Sequence, residues 1–269
     1  MNANMYRFEI RMRLRSVIIW SLAGAAVILT YQAFFPSFAK EAALVDEVMA
    51  NFPPEFLEAF GMGGVSLADV MGFFSFVFLF AQLLLAIQAS LYGFGLVSVD
   101  EAEWRADFLL TRPVTRAQIL TSKLLAAITA LLITDLAVWS AAILAINLFN
   151  GGQTVDQHIL FLMLASMPIF QFFFLTVGLM ISLLVKRVRS VTPYALGLAF
   201  GMYLLGAFSD MAGDVKLEWI TPFKHFDGND IVLHGAYNAP LVMISVAIIM
   251  IALAGSYWRY LRRDIAAVS

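Results

Sequence analysis

Few residues of this chain have the types and spacing that chemistry requires. Cysteine is absent, which excludes disulfides, thiolate metal sites and a cysteine nucleophile. The three histidines, His158, His225 and His234, lack the spacing of a metal-binding pair. Asp227 and Asp230 lie between the last two, but solvated loop residues are a better interpretation than a metal site. We therefore predict that this chain binds no metal and no cofactor.

The motifs of hydrolases and ATPases are also missing from the sequence. It contains no Gly-x-Ser-x-Gly elbow and no glycine-rich phosphate loop ending in Gly-Lys-Ser or Gly-Lys-Thr. The chain cannot hydrolyse ATP by that route. Any energy that it uses must come from another polypeptide or from an ion gradient.

One acidic residue lies inside a long apolar run. Asp135 occurs in LLITDLAVWS, where a carboxylate costs about 2.5–3.5 kcal/mol on insertion scales and should face the bundle interior or water. One interpretation is a contact with substrate, cation or proton in a pathway that also includes Gln82 and Gln171. The other is a protonated or hydrogen-bonded acid that joins two helices, with Gln82, Gln88 and Gln171 as possible partners. The sequence leaves both open.

The elements around Asp135 are predicted to be membrane helices. Of the 269 residues, 61% are hydrophobic and 13% charged, against about 25% charged in soluble domains, and the apolar residues form unbroken runs instead of the alternation of a barrel. We predict an all-α integral membrane protein with one transmembrane domain over 1–269 and no soluble domain. Asp135 is the only charged residue within its six predicted spans. The spans are 16–35, 70–97, 124–149, 158–185, 191–209 and 238–258.

The basic residues predict how these spans are oriented. Fourteen of the 17 Lys and Arg residues fall in the N-terminal segment, the tail and the segments after the second and fourth spans; only Lys40, Lys216 and Lys224 fall on the other side. Because basic residues stay in the cytoplasm, both termini are predicted to be cytoplasmic. Segment 5–15 alternates apolar residues with arginines, which favours an amphipathic helix in the headgroup layer over a disordered leader.

The cytoplasmic segment 98–123 is the most informative part of the chain. It reads SVDEAEWRADFLLTRPVTRAQILTSK, with acidic residues, then an apolar trio, then a break at Arg112-Pro113. Thr115 is the predicted N-cap of a helix that continues into the third span. An apolar knob with a charged rim is expected of a docking element for a soluble partner. The alternative, a loop on the lipid headgroups, is disfavoured by acids beside an anionic leaflet.

At these residues the sequence resembles the permease subunits of the type-2 ATP-binding-cassette (ABC-2) transporters of bacteria and archaea. Those proteins have six spans with both ends inside, and after the second span a pattern like Gly-Thr-Leu-Glu-Leu-Leu-Leu-Ser-Arg-Pro-Val-Ser-Arg, then a Lys. The matching run is DFLLTRPVTR from Asp107 to Arg116, followed by Lys123, with Trp104 and Arg105 at the family's Gly-Thr positions. PPEFLEAFG and WITPFKHF are similar to the family too.

The resemblance implies a transport subunit without catalytic residues. Two permeases, alike or different, would pair with two cytosolic ATPase subunits, which would bind the ATP and magnesium, in a prokaryotic cytoplasmic (inner) membrane. Segment 5–15 would be the connecting helix, 210–237 a partly re-entrant outer region, and 101–116 the coupling helix. The expected cargo is a hydrophobic or amphipathic compound such as a drug, peptide antibiotic or lipid. The coupling residues would be Glu101, Glu103, Asp107, Phe108, Leu109, Leu110, Arg112, Pro113, Val114 and Arg116.

Two other classes of protein are less favoured by the sequence. A secondary transporter driven by protons through Asp135 would show broken helices at corresponding positions of two halves, and none is evident. An intramembrane enzyme would need converging polar groups within the spans, whereas Asp135 has no catalytic His or second acid beside it.

Overall fold

In the computed structural model, every regular element of the described residues is a helix. The structure describes residues 2–53, 56–57, 62–102, 115–185, 188, 190–209 and 216–262. The helices are α1 (Ala3–Gln32), α2 (Phe35–Lys40), α3 (Ala42–Met49), α4 (Val70–Ala102), α5 (Arg116–Leu148), α6 (Gln157–Leu184), α7 (Val191–Ser209), a 3-10 turn (Leu217–Trp219), α8 (Pro222–His225), α9 (Gly228–His234) and α10 (Ala239–Arg262).

Six of the helices are long and apolar enough to cross a membrane: α1, α4, α5, α6, α7 and α10. This confirms the six predicted spans. The boundaries differ most at α1, which starts at Ala3, because the Asn2 side chain accepts hydrogen bonds from the backbone N–H of Asn4 and Met5. Segment 5–15 is helical as predicted, but it continues into the first span without a break.

Side-chain caps explain where α5 and α6 begin. The Thr115 hydroxyl accepts from the backbone N–H of Gln118 at 3.2 Å, and the Gln118 side chain accepts from the backbone N–H of Thr115 at 3.1 Å. This capping box confirms the predicted N-cap of α5. Asp156 caps α6 in the same way, by accepting from the backbone N–H of His158 and Ile159.

Contacts between helix ends show that α1 and α5 run in the same direction and that α10 runs opposite to them. The backbone N–H of Asn2 donates to Ser122 Oγ at 3.0 Å, and Thr121 Oγ1 lies 2.8 Å from Tyr257 Oη. The starts of α1 and α5 therefore lie beside the end of α10. We call this the basic end, because its described residues include the α1 arginines, Lys123, Arg259 and Arg262. The opposite end, with Lys40, Lys216 and Lys224, is called the outer end.

Helices α4 and α6 form the centre of the bundle. Their apolar windows are 67% and 61% buried, against 22%, 17% and 22% for α1, α7 and α10, so the last three form the periphery. A Cβ on Gly93 of α4 would clash with the Leu175 carbonyl of α6, and one on Gly178 would meet Phe94 at 3.3 Å. Glycine at both positions lets the two backbones approach closely.

The segment between α7 and α10 closes the outer end. The ring of Phe223 packs edge-on against Phe170 and Tyr203, with centroids 5.1 and 5.7 Å apart. A Cβ on Gly228 would already lie 3.2 Å from Phe78 and Met163. Short helices α8 and α9 are therefore inserted among α4, α6 and α7 instead of lying over them.

Candidate functional site

Most of the predicted coupling residues lie outside the described residues. These are Glu103, Asp107, Phe108, Leu109, Leu110, Arg112, Pro113 and Val114. Glu101 lies in the last turn of α4, and Arg116 is the first residue of α5. The described flanks therefore place both connections of the segment at the basic end, and the role of its residues stays a prediction.

A buried ion pair fastens α1 to the base of α5. Lys123 Nζ lies 2.6 Å from Glu9 Oε1, and the two side chains are only 5% and 10% exposed. The second Glu9 oxygen lies 3.5 Å from Arg13 Nη2. Sequence reasoning missed Glu9, because one acid among arginines is usually solvated. The signal was present nonetheless: Glu9 is the only acid in the first 40 residues.

Polar contacts continue from this ion pair toward the middle of the bundle. The Arg13 guanidinium lies over the Tyr92 ring, 5.0 Å from its centroid, a favourable cation–π arrangement. Gln88 Nε2 donates to Tyr92 Oη at 3.4 Å and to Thr134 Oγ1 at 2.9 Å. We call Lys123, Glu9, Arg13, Tyr92, Gln88 and Thr134 the polar relay.

The polar relay joins three helices through side-chain contacts, while Arg13 Nε and Gln88 Oε1 have no hydrogen-bond partner among the described residues. Tyr92 Oη also donates to Ser16 Oγ at 3.0 Å, so α4 is tied to α1 as well as to α5. Hydrogen bonds and ion pairs are electrostatically stronger in this low-dielectric interior than in water, and they fix the relative positions of the groups that they join. The arrangement can therefore make α1, α4 and α5 move together at the basic end.

Asp135 directly follows Thr134, the last residue of the polar relay, but its side chain is not hydrogen-bonded to the relay. Its side chain is buried, with the residue 2% exposed, and neither carboxylate oxygen has a hydrogen-bond partner among the residues that the structure describes. The predicted glutamine partners are wrong: Gln82 donates instead to the Phe226 carbonyl at 2.8 Å, and Gln88 to Thr134. Their amides are used by backbone and hydroxyl groups nearer to them.

Gln171 on α6 is one of several other buried polar side chains that have no hydrogen-bond partner among the described residues. It is fully buried, and within the described ranges neither its amide nitrogen nor its amide oxygen has a partner. A buried polar group without a partner costs about 1–3 kcal/mol. Asp135 and Gln171 thus offer an acceptor and a donor–acceptor pair to a ligand, although no hydrogen bond joins the two residues.

Gln82 lies in a different place, at a small cavity of the outer end. The cavity has a volume of about 30 Å³ and is lined by residues of α4, α7 and the α8–α9 segment, including Tyr203, Lys224 and Asp227. It has room for one or two waters. Burial raises the pKa of Asp227, although Lys224, 3.5 Å away, acts in the opposite direction. Of the predicted pathway residues, the structure therefore separates Gln82 from Asp135.

The histidines do not converge. His225 is buried, with Nδ1 2.6 Å from Ser245 Oγ, whereas His234 is exposed beside Asp230 on α9. Burial lowers the pKa of His225, and the carbonyls of Glu218 and Trp219 oppose that shift to a smaller extent. Among the described residues, no group of three side chains is placed to hold a metal ion.

Comparison with known families decides what kind of protein carries this arrangement. The chain matches the ABC-2 family transporter protein over residues 3–265. It belongs to the ABC-2 transporter family. No curated protein matches it. As an ABC-2 permease, it is a multi-pass membrane subunit of a transporter, and membership implies association with ABC ATPase subunits.

Family membership also orders the alternatives drawn from the sequence. ABC-2 permeases are transport subunits that are generally not catalytic themselves, and a secondary transporter that works through Asp135 is not favoured. The unpaired carboxylate of Asp135 must therefore be explained within an ABC transporter subunit.

Proposed function

We propose that this ABC-2 permease is an exporter subunit driven by two cytosolic ATPase subunits that dock at its basic end. A second permease, identical or different, would complete the complex in the cytoplasmic membrane of a prokaryote. The basic end would face the cytoplasm, and ATP and magnesium would bind only to the ATPase subunits. The cargo class that fits is a hydrophobic or amphipathic compound such as a drug, peptide antibiotic or lipid.

The observation that carries this proposal is the position of segment 101–116 in a chain that matches the family almost throughout. Its flanks, the end of α4 and the capped start of α5, lie at the basic end. Its sequence combines an apolar trio with a charged rim, which is typical of an anchor that enters a groove on a partner. We assign it as the coupling helix.

The polar relay supports this assignment by giving a route for movement. Lys123 lies two turns after the start of α5 at Arg116, and it is paired with Glu9 on α1. A shift of the coupling segment would therefore move α5 and α1 together. The hydrogen bond from Gln88 to Thr134 extends the relay to the residue directly before Asp135.

We further propose that Asp135 and Gln171 contact cargo, or a cation that moves with it. The alternative role, an acid that joins two helices, requires a partner across a helix interface. Neither Asp135 oxygen has one in the described part of the chain, which favours the pathway role. Gln82 would then meet cargo later, at the outer end beside the α8–α9 segment.

Helix α7 offers a face for the second permease. Gly197 and Gly201 lie one turn apart, and a Cβ added to either would meet nothing within 4 Å. The α7 window is also the least buried of the six, at 17%. Small residues on an open helix face permit close packing of another helix.

The coupling assignment is tested by co-expression and co-purification with a candidate ABC ATPase subunit, for which a neighbouring reading frame is the first place to look. Replacing Phe108, Leu109 and Leu110 with Asp, or Arg112 with Asp, is expected to abolish co-purification while membrane insertion stays intact. The matched control is Arg259→Asp, which removes a basic residue of the same end on α10. Retained co-purification and ATP-driven transport in the segment variants would overturn the assignment.

Orientation can be tested separately because the chain has no cysteine. A single cysteine at Thr111 should resist a membrane-impermeant maleimide in intact cells, whereas one at Lys40 should react. Labelling at Thr111 and not at Lys40 would place the coupling segment outside the cell and exclude its docking to a cytosolic ATPase.

A further inference from the structure

The first turns of α1 are held against α5 by three contacts on one face. The Asn2 backbone N–H donates to Ser122 Oγ, Tyr6 Oη lies 3.0 Å from Thr129 Oγ1, and Glu9 pairs with Lys123. Residues 2, 6 and 9 follow helical spacing, so they lie along one side of the helix. These contacts fix the rotation of α1 about its axis and determine which residues face away from the bundle.

The opposite face carries a row of arginines. Arg7, Arg11 and Arg15 are all exposed and recur every four residues, about 6 Å apart along the axis. None of the three has a carboxylate within ion-pair distance in the described part of the chain. Phe8 and Met12, 57% and 49% exposed, form the neighbouring row.

Helix length places this face at a membrane surface. The 30 residues of α1 extend about 45 Å, whereas the hydrocarbon core is about 30 Å thick. About ten residues must therefore lie outside the hydrocarbon. Arginine side chains near a helix end extend toward the headgroups while their stems stay in apolar surroundings, so Arg15 can reach the level at which Arg7 and Arg11 lie.

The row of arginines and the neighbouring row of apolar side chains together indicate which kind of molecule binds this face. Guanidinium groups form paired hydrogen bonds with phosphate, and the apolar row continues along α1 into Ile18, Ile19 and Leu22, which are 58%, 54% and 66% exposed. A lipid leaflet presents phosphates directly beside acyl chains. A soluble acidic partner would leave the continuous apolar row uncovered.

We propose that the outward face of the first turns of α1, formed by Arg7, Arg11, Arg15, Phe8 and Met12, binds anionic phospholipid headgroups of the leaflet at the basic end. This face, the leader face, is fastened to α5 through Glu9 and Lys123. Lipid bound there is therefore attached to the helix that follows the coupling segment. The proposal goes beyond the transport function and does not depend on the coupling assignment.

The test uses the full chain in detergent, titrated with phosphatidylglycerol or phosphatidylcholine and followed by native mass spectrometry. The wild-type protein should bind phosphatidylglycerol more tightly. Each basic residue at an anionic lipid surface strengthens binding about fivefold, so the R7Q/R11Q/R15Q variant should lose affinity for phosphatidylglycerol on the order of a hundredfold. The R7K/R11K/R15K variant should retain most of it, because it keeps the charge.

The matched control is R259Q/R262Q, which removes two basic residues from α10 at the same end; because neither lies on the leader face, its affinity should stay within a few fold of wild type. Thermal unfolding shows whether the triple variant keeps its fold. We expect that it does, because the Glu9–Lys123 pair is untouched. Equal phosphatidylglycerol affinity in wild type and folded R7Q/R11Q/R15Q would overturn the proposal. Displacement of phosphatidylglycerol by inorganic phosphate would also overturn it, because the face would then be a site for free anions.

Discussion

Lys123 and Asp135 lie on the same helix, about 18 Å apart along its axis, and are 4% and 2% exposed. Lys123 has a carboxylate at 2.6 Å. Asp135 has no hydrogen-bond partner among the described residues. One helix therefore carries two buried ionisable groups. Lys123 has an ion-pair partner, and Asp135 has no hydrogen-bond partner in the described part of the chain.

This difference between Lys123 and Asp135 indicates that the two residues have different roles. A buried charge that is paired and hydrogen-bonded holds elements in place, and removing its partner costs several kcal/mol. A buried acid without a partner contributes nothing to holding helices together, so its presence requires a ligand or a proton. Under the proposed function, the base of α5 would transmit movement, and its middle would contact cargo or a cation.

The largest expected effect on the free energy of unfolding comes from breaking the Glu9–Lys123 ion pair. Lys123→Met leaves Glu9 buried with only Arg13 beside it, and should lower the free energy of unfolding by about 3 kcal/mol. The double variant Glu9→Met/Lys123→Met should regain part of that loss, because only Arg13, which lies over the Tyr92 ring, then lacks its carboxylate. Thermal and denaturant unfolding in detergent measures both effects.

A matched control for this pair exists at the outer end. Lys224 and Asp227 are 3.5 Å apart with side chains 18% and 24% exposed, so Lys224→Met should cost less than about 1 kcal/mol. Equal losses for Lys123→Met and Lys224→Met would remove the distinction between a buried structural pair and an ordinary partly exposed one.

The next effect concerns Asp135, whose replacement should not lower stability as the replacement of Lys123 does. Asp135→Leu removes a carboxylate that costs about 2.5–3.5 kcal/mol within a span, so stability should be unchanged or higher while transport is lost. Asp135→Asn should lose transport as well. Transport and thermal unfolding are measured in the same preparation. If both variants keep transport and the Leu variant assembles poorly, Asp135 is a structural residue.

A smaller effect should follow from shortening the relay. Tyr92→Phe removes the hydroxyl that contacts Ser16 and Gln88 but keeps the ring beneath Arg13. Hydrogen bonds between membrane helices average about 0.6 kcal/mol, so stability should fall by about 1 kcal/mol. If the relay transmits movement, the ATP hydrolysed per cargo molecule should rise. An unchanged ratio would limit Tyr92 to packing.

The smallest effect is a pH dependence at the outer end, where His225 is answered by Ser245 alone among side chains of the described residues. Burial lowers the pKa of His225 below its ordinary value of 6.5. The unfolded chain therefore takes up a proton below about pH 6.5 when the folded chain does not. Stability should be complete above that pH and decline as pH falls. His225→Gln should flatten the decline in unfolding experiments; an unchanged slope would exclude His225 as its source.

The sequence was sufficient for features that depend on local chemistry. Six apolar runs predicted six spans, and Thr115 predicted the start of α5, because hydrophobicity and capping are properties of neighbouring residues. The position of Asp135 inside a span was readable for the same reason. Segment 210–237 was expected to be partly re-entrant, and its apolar residues Phe223, Phe226 and Ile231 are buried.

Partnerships between helices could not be predicted in the same way. Glu9 and Lys123 are 114 residues apart in the chain, and only the packing of α1 on α5 brings them together. The same packing accompanies α1 back to its start, where the Asn2 backbone N–H donates to Ser122 and the Tyr6 hydroxyl contacts Thr129 on α5. The predicted pairing of Asp135 with glutamines was wrong for a related reason: which face of α4 carries Gln82 or Gln88 toward which neighbour depends on helix rotation.

The unbroken course of α1 has a mechanical consequence. Helix α1 is a rod of about 45 Å that packs on α5 near both ends, through Glu9 on Lys123 and through Gly24, where an added Cβ would lie 2.7 Å from Val138. Just beyond the C-terminal end of α1, Phe35 lies against Gly151 in the turn between α5 and α6; a Cβ on this glycine would be 3.2 Å from its ring. A pull beside Lys123 would thus displace α1 and α5 as one unit and reach the opposite rim of the bundle without a hinge between.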